Sequence, residues 1–192
     1  MLVQILLFIL DTVCGFFTLV LLVRFAMQWA RTPFRNPLGQ FIVAVTDWMV
    51  RPVRRLIPGL FGLDLASLLL AWLWQVAYQG FALGLSGLLS AVSPAPTLVV
   101  AAIALLDVTK IGVYLLIGAV VVSAVFSWVN PYAPLAEVFN TLTRPLLRPF
   151  RRFIPPIGGV DLSPLALLLV LQIALFIIAG LRHNLMPLML LS

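Results

Sequence analysis

Thr46-Asp47-Trp48-Met49-Val50-Arg51-Pro52-Val53-Arg54-Arg55-Leu56-Ile57-Pro58 returns later in the chain as Thr143-Arg144-Pro145-Leu146-Leu147-Arg148-Pro149-Phe150-Arg151-Arg152-Phe153-Ile154-Pro155. Working outward, Gly62-Leu63-Asp64-Leu65 answers Gly159-Val160-Asp161-Leu162, and Gln75 answers Gln172. Upstream, Asn36-Pro37 answers Asn130-Pro131, Trp29 answers Trp128, and Leu10-Asp11 answers Leu106-Asp107. Chance does not align so many polar, proline and glycine positions, so the chain is a tandem duplication of one unit. The first copy occupies residues 1–90 and the second 97–184, followed by an apolar tail, 185–192.

The flanks of the motif decide the solvent. Of 192 residues, 63% are hydrophobic and 9% charged, and mean hydropathy is +1.17. A soluble domain carries about a quarter charged residues. A spanning helix needs about 20 mostly apolar residues, and segments 2–29, 63–85, 97–129 and 162–181 qualify. Segment 2–29 lacks the basic start of a signal peptide and is too long for its apolar region, so it is expected to stay as a helix. The expected fold is all-α and membrane-embedded: four transmembrane helices in two hairpins, each joined by an amphipathic connection. The single cysteine, Cys14, rules out an intrachain disulfide and a CxxC pair.

The arginines set the expected orientation, because loops rich in Lys and Arg stay on the cytoplasmic side. Arg31, Arg35, Arg51, Arg54 and Arg55 fall in the first connection, and Arg144, Arg148, Arg151 and Arg152 in the second. Lys110 and Arg182 lie toward the opposite side. Both connections are therefore expected in the cytoplasm and both termini outside, with two parallel hairpins related by a pseudo-two-fold along the membrane normal. In the second connection Leu135, Val138, Phe139, Leu142, Leu146 and Phe153 recur at helical spacing, with the arginines on another face. That pattern describes a helix lying in the interface. Pro52, Pro145 and Pro149 suggest two short helices per connection instead of one. Anionic lipid headgroups are the expected partner of Arg51, Arg54, Arg55, Arg144, Arg148, Arg151 and Arg152. A membrane-protein partner and association of two chains are compatible with the same surface, whereas nucleic acid lacks a reading module.

Other polar residues have structural readings beside functional ones. Arg24 lies near the cytoplasmic end of its span, where it can snorkel to the headgroups. Asp107 and Lys110 are three apart and can pair on one helical face. Asp64, Asp161 and Ser163 precede the second helix of each copy and suit helix caps. Gln75 and Gln172 fall near mid-membrane, where an amide needs a partner. A mutual contact near the bundle axis would supply one. No Walker A, GxSxG or HExxH pattern is present, and His183 is the only histidine. Neither an enzyme nor a bound cofactor or metal is expected.

The run Thr143 to Asp161-Leu162-Ser163-Pro164, with Asn130-Pro131 before it, resembles the hallmark of the YggT family of bacterial inner-membrane proteins. The first copy departs from it where Gly59-Leu60-Phe61-Gly62 and Ala66-Ser67 stand. The resemblance implies a multi-pass protein of the bacterial inner membrane. It also implies links with osmotic-stress tolerance, ion homeostasis and cell-division gene neighbourhoods, and in chloroplasts with cytochrome b6 haem maturation and nucleoid organisation. No catalytic residue comes with it. The resulting expectation is a non-catalytic scaffold or assembly factor with a basic cytoplasmic surface; the alternative is an ion channel or transport accessory in osmotic adaptation.

Overall fold

The computed structural model describes residues 1–57, 63–85, 94–154 and 161–190. The readings placed on Pro58 to Gly62, on the uncharged bridge between the copies and on Pro155 to Val160 lie outside them. Six helices follow in order: α1 (Leu2–Trp29), α2 (Pro37–Leu56), α3 (Leu65–Leu85), α4 (Pro94–Val129), α5 (Pro134–Phe153) and α6 (Ser163–Leu190). Four of them, α1, α3, α4 and α6, are long and apolar enough to cross a membrane. The protein is multi-pass, and at 1.5 Å per residue α4 exceeds the roughly 30 Å hydrocarbon core. The tail expected after residue 184 is part of a helix as far as Leu190, running through Pro187.

α2 and α5 are each one continuous helix, not two. Their internal prolines, Pro52, Pro145 and Pro149, sit on exposed faces. Each frees a carbonyl one turn back, but on the outer side of the helix, where the polar medium can satisfy it. The apolar face is what keeps α5 in one piece. Ala136, Val138, Leu142 and Leu147 are all buried, so breaking the helix would expose them.

The helix starts also correct the alignment. α2 opens with Asn36 as its cap, accepting from the Gly39 N–H at 2.8 Å, and Pro37 as its first residue. α5 opens at Pro134 after Ala133, with no side-chain cap. Pro37 and Pro134 therefore correspond, at the same spacing that relates Arg54 to Arg151. Asn130-Pro131 lies one turn too early to play the part of Asn36-Pro37.

Packing joins α1 to α3 and α4 to α6, and α3 and α1 both pack on α4. One apolar cluster, with Leu21, Leu22, Met49, Val50, Ala66, Ala71 and Val108, ties the first copy to α4. A second, with Val113, Val120, Leu147, Leu167, Leu171 and Ile178, is built from α4, α5 and α6 alone. A third brings both connections onto α1 through Val20, Met27, Ile42, Val138 and Leu142. All four long helices line one cavity, through Asp11, Gln75, Asp107 and Arg182 among others. The pseudo-two-fold, however, is broken. A true axis would match the α3–α4 packing with an α6–α1 packing, and among the described residues α6 packs closely only on α4 and α5.

Candidate functional site

The end of the molecule carrying α2 and α5, here called the elbow end, holds most of the arginines. In the first copy they form a buried ionic network. Arg24 is 5% exposed; its Nη1 donates to Thr46 Oγ1 at 2.7 Å and Asp47 Oδ1 at 2.8 Å, and its Nε lies 3.4 Å from Asp64 Oδ2. It does not snorkel, because two carboxylates inside the fold neutralise it. Arg54 adds bonds to both Asp64 oxygens and to Gln28 Oε1 at 3.1 Å. Arg51 pairs with Asp47 at 2.8 Å. Asp64 also accepts from the Ser67 hydroxyl at 2.7 Å and from the Ser67 N–H at 3.4 Å, so it caps α3 while clasping α1 and α2 to it. Burial works against the charge on Asp47 and Asp64, but the bonds from Arg24 and Arg51, and from Arg54, Ser67 and Arg24, outweigh it and hold both carboxyls below the usual range. The bond to Asp64 pushes Arg54 up in turn.

The second copy keeps only part of this network. Arg151 Nε donates to Asp161 Oδ2 at 2.9 Å, as Arg54 does to Asp64. Asp161 accepts the Ser163 N–H at 2.9 Å; Ser163 is the first helical residue, so it receives the cap and Asp161 supplies it. Burial opposes the Asp161 charge, and the bonds from Ser163 and Arg151 more than offset it, so this carboxyl is also lowered. No second arginine arrives. Ser123 Oγ instead donates to Asn140 Oδ1 at 2.6 Å and lies 3.4 Å from Thr143 Oγ1, the counterpart of Thr46. A cleft of about 610 Å³ remains open among Ser123, Asn140, Arg151, Asp161 and Leu165.

The other predicted arginines stay on the outside. Arg55, Arg144, Arg148 and Arg152 are exposed, and no ion pair with a described residue engages them. Arg31, Arg144, Arg148 and Arg151 line a cleft of about 740 Å³ with Trp29, Ala30, Thr141 and Pro145. Arg31 has φ 54°, the only positive φ among the described non-glycine residues. It ends α1 in a Schellman motif, with the Arg31 N–H bonded to the Gln28 carbonyl at 3.0 Å and the Thr32 N–H to the Met27 carbonyl at 2.8 Å. Glycine is the usual residue there, and a side chain costs about 1–2 kcal/mol.

At the opposite end a second polar site converges. Gln79 Nε2 donates to Asp107 Oδ2 at 2.7 Å, and Arg182 Nε lies 3.4 Å from Asp107 Oδ1. Asp107 thus pairs across helices with α3 and α6, while Lys110 turns to the Tyr114 ring, 5.9 Å from its centroid. Asp11, Gln75, Tyr78, Asp107, Lys110 and Arg182 border a cavity of about 460 Å³.

The two glutamines do not meet. Gln75 is 4% exposed and donates to Thr18 Oγ1 of α1 at 3.0 Å. Gln172 is exposed on the outer face of α6. Sequence reasoning missed Thr18 and Asp47; of these, Asp47 carried a signal, being a carboxylate inside a basic run. Among the described residues no three His, Cys, Asp or Glu side chains converge as a metal would require.

Comparison with known proteins agrees with the repeat. The CCB3/YggT family model matches residues 3–85 and again 102–182. An uncharacterized protein of Pseudomonas aeruginosa is 40% identical over 173 residues, covering 86% of this chain and 84% of that one. The uncharacterized protein YggT of Escherichia coli K12 is 39% identical over 167 residues, covering 86% and 85%. YlmG homolog protein 2, chloroplastic, of Arabidopsis thaliana is 52% identical over 54 residues, 27% of this chain and 21% of its own length. No solved structure is significantly similar.

Proposed function

The chain belongs to the CCB3/YggT family, and from that premise we propose that it is a non-catalytic scaffold or assembly factor of the bacterial inner membrane. Its elbow end holds lipid headgroups and docks a membrane partner. One observation carries this reading: Arg55, Arg144, Arg148 and Arg152 are exposed and in no ion pair with a described residue, and Trp48, Leu56 and Phe153 are exposed on the same two helices. A fold that neutralises Arg24 and Arg54 with its own carboxylates leaves these four to outside anions. Each basic side chain near an anionic leaflet contributes about 1 kcal/mol. The same bias toward one end supports a cytoplasmic elbow and external termini.

Photo-crosslinkers placed at Leu146 and Pro149, next to the arginines of α5, test the scaffold in cells. A reproducible protein adduct is the expected result, and recovery of lipid alone would overturn the docking role. Labelling of single cysteines near residues 55 and 150 tests the orientation: both should be shielded from a membrane-impermeant reagent added to intact cells.

The cavity at the opposite end favours a second reading, an ion channel or transport accessory in osmotic adaptation. It brings Asp11, Asp107, Lys110 and Arg182 together at the mouth of four spanning helices. Liposomes holding the purified chain should then pass salt, and Asp107→Asn should alter the flux; a silent bilayer rejects this reading for the isolated chain.

A further inference from the structure

We propose that the cleft between the end of α1 and α5 is a binding site for one phosphate group, held by Arg31, Arg144 and Arg148 with Arg151 at its rim. Three features of this cleft set it apart from a merely basic surface. Four guanidinium-bearing residues from the two copies line one cleft of about 740 Å³. Of these, only Arg151 is engaged in an ion pair with a described residue, Asp161. Arg55, also exposed, is not among the residues that line this cleft.

The backbone at Arg31 is the second feature. The last turn of α1 closes in a Schellman motif whose left-handed position suits glycine, yet an arginine occupies it. Strain of this sort persists where surrounding structure over-determines it and clusters at ligand clamps. Here the left-handed turn places Arg31 at the cleft, opposite α5. The same motif engages the Met27 and Gln28 carbonyls with the N–H groups of Thr32 and Arg31, which lessens the repulsion that a helix C-terminus offers an anion.

The third feature is chemical fit. Guanidinium groups present planar forked donors that match phosphate oxygens two at a time. Thr141, at the same cleft, adds a hydroxyl, although that hydroxyl also donates to the Glu137 carbonyl. Trp29, 44% exposed at the rim, is the residue type that marks membrane interfaces. A lipid phosphate and a free phosphate share this chemistry, so the measurement separates them. The inference rests on the membrane-surface reading only in setting the elbow at headgroup level. A failed crosslink would leave the phosphate measurement intact, and a failed phosphate measurement would leave docking intact.

The test uses the full chain in nanodiscs of phosphatidylcholine doped with phosphatidylglycerol, with lipid retention read by native mass spectrometry. Arg31→Gly, Arg144→Gln and Arg148→Gln should each lower phosphatidylglycerol retention about tenfold, and Arg55→Gln should change it less than about twofold. Arg31→Gly is the decisive variant, because glycine relaxes the turn: its Tm should hold or rise while retention falls. Equal losses for Arg55→Gln and Arg144→Gln would mean diffuse charge attraction and overturn the site. So would unchanged retention in Arg31→Gly. Inorganic phosphate at millimolar concentration forms the second arm. If it binds the wild-type chain in phosphatidylcholine alone and Arg31→Gly abolishes that binding, the phosphate site stands with a soluble source. If only phosphatidylglycerol is held, the source is lipid.

Discussion

The two elbows use nearly the same residues to opposite effect. Asp64 is 1% exposed and serves Arg24 and Arg54 together; Asp161 is 39% exposed and serves Arg151 alone. Thr46 bonds to the buried guanidinium, whereas Thr143 faces the Ser123 hydroxyl. Asp47 is replaced by Arg144, which turns a second internal carboxylate into an outward cation. The two copies therefore differ electrostatically: the first elbow pairs Arg24, Arg51 and Arg54 with its own carboxylates, and the second pairs Arg151 alone.

The sharpest way to break this contrast is to remove the shared carboxylate. Asp64→Asn leaves Arg24 buried with only Asp47, and truncating one partner of a buried pair costs about 3–5 kcal/mol. Asp161→Asn loses a largely exposed pair and should cost at most about 1 kcal/mol. Unfolding in mild detergent measures both, and equal losses would erase the distinction between the elbows.

Acid should act on the same difference. Asp47 and Asp64 have folded-state pKa values below their unfolded ones. The stability they contribute is complete above the ordinary carboxylate value, about 4, and is lost as pH falls through their lowered values. The wild-type chain should lose stability below about pH 4 more steeply than Asp64→Asn, as followed by thermal unfolding across a pH series.

A smaller effect is expected at the entrance to each elbow. A Cβ on Gly39 would meet the Phe34 backbone at 2.7 Å, so Gly39→Ala should cost about 1–3 kcal/mol of overpacking. Its counterpart in α5, Ala136, already carries a Cβ in a buried place. Ala136→Gly should cost only about 1 kcal/mol, the helix penalty for glycine. The least effect belongs to the glutamines. Gln75→Leu removes its bond to Thr18, worth about 0.6 kcal/mol on average in membranes, and Gln172→Leu should be neutral or stabilising. A larger loss at Gln172 than at Gln75 would show that α6 has a neighbour within the bilayer.

Much of this was legible in the sequence and some was not, for physical reasons. Composition and period decide the solvent, so the four spans and the amphipathic faces of α2 and α5 could be read directly. Helix continuity through Pro145 and Pro149 could not, because it depends on which side of α5 is buried. Asp64 and Asp161 read as caps in the sequence, and each accepts a backbone N–H at the start of the following helix; the clasp on Arg24 was hidden because its partners lie 22 to 40 residues away. Gln75 and Gln172 hold equivalent positions in the repeat but unequal neighbours, since α3 faces α1 and α4 while α6 turns one side outward. Repetition in sequence predicts equivalent residues, not equivalent surroundings.

Arg24, Thr46, Asp47, Arg54, Asp64 and Ser67 all precede α4 in the chain. The first hairpin therefore carries everything needed to neutralise its embedded arginine before the second leaves the ribosome. Until α3 delivers Asp64, Arg24 of α1 has incomplete partners, which favours rapid pairing of α1 with α3. The later hairpin is then added to a finished half and meets a preassembled wall.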